Sequence, residues 1–208
     1  MQTVDRKLFR YVLLDLLNEK DYWIAGSPDK EKDILVIDIK NNKAAWIKDM
    51  PEEIKPDPRE QKIKEVLALC EKERLEGGSD FKETTGVNAG PQVYKYLKYC
   101  GLPTGNPWCA AFVCWILGQC GIDNPKTADT WELEKWAINK KIYYTKDPQP
   151  GDVFLQLDSN GKPKHTGFVE KIDPLNTLYL LTVEGNTSDG IRHKNDKKVS
   201  ECKYIRYI

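Results

Sequence analysis

The stretch NPWCAAFVCWILGQCG, residues 106–121, constrains this chain more than any other part of it. From Trp108 to Cys120 it reads as a helix that is apolar almost all the way round, ended by Gly121. Such a helix has no face to offer water, so other elements must enclose it. The dipeptide Pro107-Trp108 leads in and sets Cys109 in the first turn. At a helix start the free N–H groups and the dipole favour negative charge, which suits a cysteine that reacts as its thiolate.

The 208 residues suit one domain of ordinary size, or one domain with an appendage. With 40% hydrophobic and 10% aromatic residues, a core can form and wholesale disorder is not expected. Thirty-two basic residues balance 32 acidic ones, so neither nucleic acid nor an anionic membrane surface is an expected partner. The opening MQTVDRKLFRYVLLDLLNEKDYW does not read as a signal peptide, because Asp15 breaks its apolar run and no small-residue cleavage site follows. No segment approaches the ~20 apolar residues of a membrane-spanning helix.

The six cysteines include no CxxC pair, and His165 and His193 are the only histidines. Cys109, Cys114 and Cys120 share one helix, but at ~1.5 Å per residue the first and last stand too far apart to share an ion. No metal and no cofactor is expected. Reduced thiols are the default reading.

Periodicity organises the rest. Residues 5–19 carry the stripe of an amphipathic helix, and 33–39 with 44–48, around Asn41-Asn42, read as a hairpin. Three prolines in residues 51–60 mark a linker, so the expected division is an extension over 1–58 and a domain over 59–208. Helices are expected over 60–76, from Pro91 to Cys100, over 108–120, and after Asp129, whose spacing to Glu132 resembles a capping box. From residue 141 the pattern changes to strands: 141–145, 151–157, 165–172, 177–183, 190–194 and 202–208. Helices followed by an antiparallel meander predict an α+β fold with the cysteine helix against one sheet face.

Nucleophilic catalysis by cysteine requires a base, and a group that orients the base. Cys109 is the nucleophile candidate. His165 opens a strand directly after the turn Asp158–Gly161, and Glu184 ends the following strand. If those two strands pair across the turn near Asp173-Pro174, His165 and Glu184 come to adjoining ends. Glu184 would orient the imidazole, with Asn186 as the alternative or supporting group. The Cys109 backbone N–H, free at a helix start, is the natural oxyanion donor. His193, among Arg192, Lys194 and Asn195, reads as a solvated loop or edge-strand residue, and the Lys/Asp cluster at 192–198 as a solvated loop. Asp152 at a strand start reads as a turn feature, and the other five cysteines as buried small hydrophobes. Trp108 is a candidate for substrate contact, although core packing is the commoner role of such a ring.

Taken in order, PWCAAFVCW (107–115), PGDVFLQ (150–156), HTGFVEKI (165–172) and VEGNTSDG (183–190) resemble the CHAP domains, cysteine- and histidine-dependent amidohydrolases/peptidases. The resemblance extends over roughly residues 60–208. It implies a papain-like fold, Cys109 as nucleophile, His165 as base, and Glu184 with Asn186 as orienters. It implies hydrolysis of amide bonds in peptidoglycan, as an N-acetylmuramoyl-L-alanine amidase or an endopeptidase, acting on stem peptide and glycan. No acidic loop like the calcium site of some CHAP endolysins is present, and residues 1–58 match no wall-binding module. A monomeric phage or prophage endolysin, or another antibacterial lysin, is the expected setting, made in the cytoplasm and brought to the wall by a pore or a secretion system. An intracellular amidase on a glutathione- or polyamine-type amide, and a non-catalytic binding module, are the alternatives.

Overall fold

A computed structural model describes residues 57–75, 83 and 86–208, together with the strands within 22–47. The chain divides into two compact units, Met1–Pro56 and Asp57–Ile208. In the first unit, β1 (Tyr22–Ser27), β2 (Lys30–Asp38) and β3 (Lys43–Ile47) form an antiparallel sheet in that order. The expected hairpin is β2–β3, with Asp38 opposite Lys43 and Ile34 opposite Ile47. Strand β1 is an addition to the sequence reading, and the helix expected over 5–19 lies outside the described residues.

The second unit begins with α1 (Pro58–Arg74). Asp57 caps it by accepting from the Arg59 N–H at 2.9 Å, and Pro58 occupies the first helical position. The proline-rich segment expected as linker through residue 60 therefore gives way to helix at Pro58, because proline is well suited to a helix start. Helix α2 (Pro91–Tyr99) closes with the Leu102 N–H on the Leu97 carbonyl at 2.9 Å, a reversal made through Gly101 at φ +74°. Helices α3 (Cys109–Gln119) and α4 (Thr130–Asn139) follow, and Asp129 caps α4 through the Trp131 N–H at 2.7 Å.

The strands are β4 (Tyr143–Tyr144), β5 (Val153–Leu157), β6 (Pro163–Ile172), β7 (Tyr179–Glu184), β8 (Arg192–Lys198) and β9 (Cys202–Ile205). They form one antiparallel sheet in the order β4-β9-β5-β6-β7-β8. Four described helices on a six-stranded antiparallel sheet make the α+β fold expected, in an arrangement consistent with a papain-like CHAP fold. No described helix is long and apolar enough to cross a membrane.

Helix α3 is enclosed as its sequence requires: Ala110, Ala111, Phe112, Val113, Cys114, Ile116 and Leu117 are all buried. It shares one buried cluster with Val153, Leu155, Phe168, Val183 and Ile205 of the sheet, with Phe112 edge-on to Phe168 at 6.4 Å between ring centres. The opposite sheet face carries a smaller cluster of Phe154, Val169, Leu180, Cys202 and Tyr204 against Val199. Two expectations are corrected here. Strand β6 starts at Pro163 rather than His165, and residues 192–198 form β8 rather than a solvated loop. Edge strands are commonly rich in lysine, so a charged run carries no apolar alternation to betray its pairing.

Where β7 ends, Gly185 lies directly on α3. A Cβ there would stand 2.7 Å from Phe112 Cγ and 2.8 Å from Trp108 Cζ3, both parts of packed rings. Gly185→Ala is expected to destabilise the protein by ~1–3 kcal/mol through overpacking, read as a lower urea midpoint at unchanged slope.

Candidate active site

Cys109 is the first residue of α3, preceded by Trp108 in the capping position without a side-chain cap. The first intrahelical bond runs from the Phe112 N–H to the Trp108 carbonyl at 2.8 Å, so the N–H groups ahead of it have no partner within the helix. This end of α3 is anchored by Trp108, whose indole is fully buried, stacked on Tyr96 at 5.5 Å, and donates to Glu83 Oε1 at 2.8 Å. The Trp108 ring thus packs in the core instead of facing a cleft. Glu83 also accepts from the Asn88 N–H at 2.6 Å and, through its own N–H, meets the Asp189 carbonyl at 2.8 Å. One residue of the lead-in segment so ties the start of α3 to the turn that follows β7.

His165 and Glu184 sit on neighbouring strands. The β6–β7 register pairs Phe168 with Val183 and Val169 with Thr182, which brings the start of β6 beside the end of β7. His165 Nε2 lies 2.8 Å from Glu184 Oε2. Nε2 is committed to that carboxylate, and the imidazole also lies close enough to Cys109 to feel its charge. The ring of Phe154, 6.1 Å from the imidazole centre, walls one side. The early part of β6 and the end of β7 meet at this pair.

Glu184 is fully buried and carries more partners than the imidazole alone. Its Oε1 accepts from Thr182 Oγ1 at 2.6 Å and lies 3.2 Å from Lys197 Nζ. Its Oε2 accepts from Thr187 Oγ1 at 3.1 Å, and that hydroxyl also stands 3.2 Å from His165 Nε2. Thr182, Thr187 and Lys197 are additions to the sequence reading. A signal for Thr182 exists in retrospect, since it stands two residues before Glu184 and therefore shares its face of β7. Lys197 has no comparable signal.

Asn186 occupies the turn after β7 at φ +58°, with Ser188 at +49° and Asp189 at +56°. Left-handed backbone suits Asn and Asp and costs about 1 kcal/mol or more at other residues, so this turn is a built feature. Among the described residues, Glu184 and Thr187 meet His165 Nε2, while Asn186 shapes the turn that delivers Thr187.

The electrostatics follow from these contacts. Burial alone would pull the imidazole down, but hydrogen bonds with Cys109 and Glu184 outweigh it and raise His165 from 6.5 to about 9. Burial alone would push the Glu184 carboxyl up, yet the hydrogen bond from His165, the Thr182 hydroxyl and the Lys197 charge hold it below the usual carboxylate range. Each partner keeps the other charged.

The remaining candidates fall elsewhere. His193 lies on β8, exposed, between Glu170 at 3.0 Å and Glu71 at 2.9 Å. Asp152 is buried, accepts from the Gln149 N–H at 2.8 Å, and is bridged by Arg206 at 2.8 Å and 3.0 Å. Both are structural ion pairs. Cys70, Cys114, Cys120 and Cys202 are buried, while Cys100 is partly exposed at the end of α2. Among the described residues, no group of three or more His, Cys, Asp or Glu side chains could hold a metal ion.

The family model of the CHAP domain matches residues 101–186. This segment is similar to CHAP domains. The matched segment holds Cys109, His165, Glu184 and Asn186, and it ends before β8. No curated protein and no solved structure matches the chain. CHAP domains are cysteine- and histidine-dependent amidohydrolases or peptidases.

The sign of the histidine's pH dependence follows from its shift. Its pKa is raised on folding, so its stabilising contribution is complete below about pH 6.5 and is lost as pH rises through about 9. With only two histidines in the chain, ring-nitrogen NMR resolves each titration. Wild type is expected to show one inflection near pH 9, moved down toward 6.5 in Glu184→Gln. A wild-type pair that both titrate near 6.5 would contradict the geometry described.

Proposed function

We propose that this CHAP domain is a peptidoglycan hydrolase that cleaves an amide bond through a thioester at Cys109, with His165 and Glu184 completing a triad. The observation that carries the reading is the imidazole held at 2.8 Å by a fully buried Glu184, on the strand ends beside the helix that begins with Cys109 and within reach of its charge. The imidazolium stabilises the thiolate, which attacks the carbonyl carbon. The developing oxyanion is received by the Cys109 backbone N–H at the start of α3, an interaction of a kind that contributes ~3 kcal/mol to the transition state. His165 then gives its proton to the leaving amine, and the C–N bond breaks. The now neutral imidazole takes a proton from water, whose oxygen attacks the thioester. Collapse of that intermediate releases the acid, restoring thiolate and imidazolium. Glu184 holds the ring throughout and balances its positive charge.

The substrate is the stem peptide of peptidoglycan, cut either at its junction with muramic acid or within the peptide. The setting proposed is a monomeric phage or prophage lysin, or another bacteriolytic protein, acting at the cell wall. Purified sacculi of several wall chemotypes, with soluble products identified by mass spectrometry, test this reading. Wild type is expected to release muropeptides whose new termini name the bond, and Cys109→Ala to release none. The rate should fall as pH rises through about 9, because His165 then loses the proton the leaving amine requires. Turnover confined to soluble glutathione or polyamine amides would replace the wall substrate, and sacculus hydrolysis that survives Cys109→Ala would remove the mechanism.

A further inference from the structure

Lys197 lies beyond the segment that defines the CHAP domain here, on the edge strand β8, in a run of charged residues. It is nevertheless buried, and its Nζ stands 3.2 Å from Glu184 Oε1. A buried lysine is rare, because its charge must be taken out of water and held by partners. The strand is built to put it there. Thr182 faces Lys194 and Glu184 faces Arg192, but Leu180 faces Lys197, with a register shift between Leu180 and Thr182. In unbroken register Asp196 would stand opposite Leu180, on the face of β7 shared by Thr182 and Glu184. The bulge passes over that acid and sets a cation on that face, the kind of re-aiming for which bulges serve next to active sites.

We propose that Lys197 is a positioning residue of the reaction: it holds Glu184 Oε1, so that Oε2 alone is presented to His165 Nε2. The assignment rests on the reading of Cys109, His165 and Glu184 as the catalytic set. Oε1 receives Lys197 and the Thr182 hydroxyl, and Oε2 receives His165 and the Thr187 hydroxyl. Each carboxylate oxygen is thus fully engaged, and rotation of the group would break all four contacts. Lys197 also keeps the carboxylate ionised. The charged and titratable groups around the pair are His165 from β6, Cys109 from α3, Asp196 from β8 and Cys202 from β9. Asp196 pairs with Lys197 and, at 3.4 Å, with Lys194.

The test is the pH dependence of kcat/KM on sacculi for wild type, Lys197→Met and Lys197→Arg, with His165 ring-nitrogen NMR on the same proteins. Without the cation, Glu184 accepts a proton at higher pH, so the acid limb of the Met variant should move up by about one pH unit. The inflection that Glu184 protonation imprints on the His165 signals should move with it. Lys197→Arg should return both toward wild type, and Lys197→Met should add no shift in a Glu184→Gln background. A Met variant with lower melting temperature but an unmoved acid limb and an unmoved His165 inflection would show a merely structural lysine and overturn the proposal. So would an equal shift in the Glu184→Gln background. Lys197→Gln, neutral but still a donor, carries the same charge test if the Met variant does not fold. The NMR arm reads the Lys197–Glu184 coupling without turnover, so failure of the catalytic reading, seen as hydrolysis independent of Cys109, is told apart from failure of this one.

Discussion

Everything at the site hangs on the burial of α3, because a helix without a polar face can be stable only where other elements enclose it. Its flanks are taken by α2 aromatics on one side and by the sheet on the other, through contacts such as Tyr96 with Phe112 at 5.4 Å and Phe112 with Phe168 at 6.4 Å. Once those sides are filled, the N-terminal end is the part left to do chemistry. Trp108 and Gly185 fix that end: the indole is stacked and hydrogen-bonded, and the glycine lets the end of β7 come within contact of it. The sulfur of Cys109 is therefore placed by packing and not by a network of polar groups. Its place is held by the ~1.5–3 kcal/mol per buried side chain that stabilises the core.

The polar half of the site is organised by a different constraint. Glu184 is a carboxylate removed from water, and an isolated charge there would neutralise rather than persist. It persists because its two oxygens share four partners, His165 and Thr187 on one, Thr182 and Lys197 on the other. Breaking such a buried pair from one side is costly, about 3–5 kcal/mol in general, which makes the arrangement rigid as well as charged. Rigidity is what an orienting group supplies, since a base held in one geometry is already in place when the leaving group needs its proton. The left-handed turn at Asn186, Ser188 and Asp189 belongs to the same scheme, since it brings Thr187 onto both the imidazole and the carboxylate.

The parts of this structure that were legible in the sequence are those written in apolar periodicity and in turn chemistry. The all-apolar stretch gave α3, Pro91 and Asp129 gave helix starts, and Asp158–Gly161 gave the turn into β6, in which Asp158 Oδ1 accepts from the Asn160 and Lys162 N–H groups at 2.8 and 2.9 Å. The approach of His165 to Glu184 was also legible, because two strands joined by a tight connection bring opposite ends together. Lys197 was not, and the reason is register: a single extra residue in β8 decides whether Asp196 or Lys197 faces the site, and no local pattern announces that insertion. Thr187 was hidden for a related reason, since its place depends on left-handed backbone at residues that are not glycine. The start of α1 at Pro58 shows the limit of reading proline as punctuation, because at a first helical position it opens the element.

On the proposed mechanism, one thiol among six is made reactive by an imidazole that a buried carboxylate holds. Its most direct measurement is the rate of alkylation of each cysteine by iodoacetamide at mildly acidic pH, resolved by peptide mass mapping, in wild type and Glu184→Gln. Cys109 is expected to be alkylated well ahead of the other five, Cys100 with its greater exposure included, and the substitution to remove most of this advantage. Cys109 reacting no faster than Cys100, or equally fast with and without the Glu184 carboxylate, would contradict it.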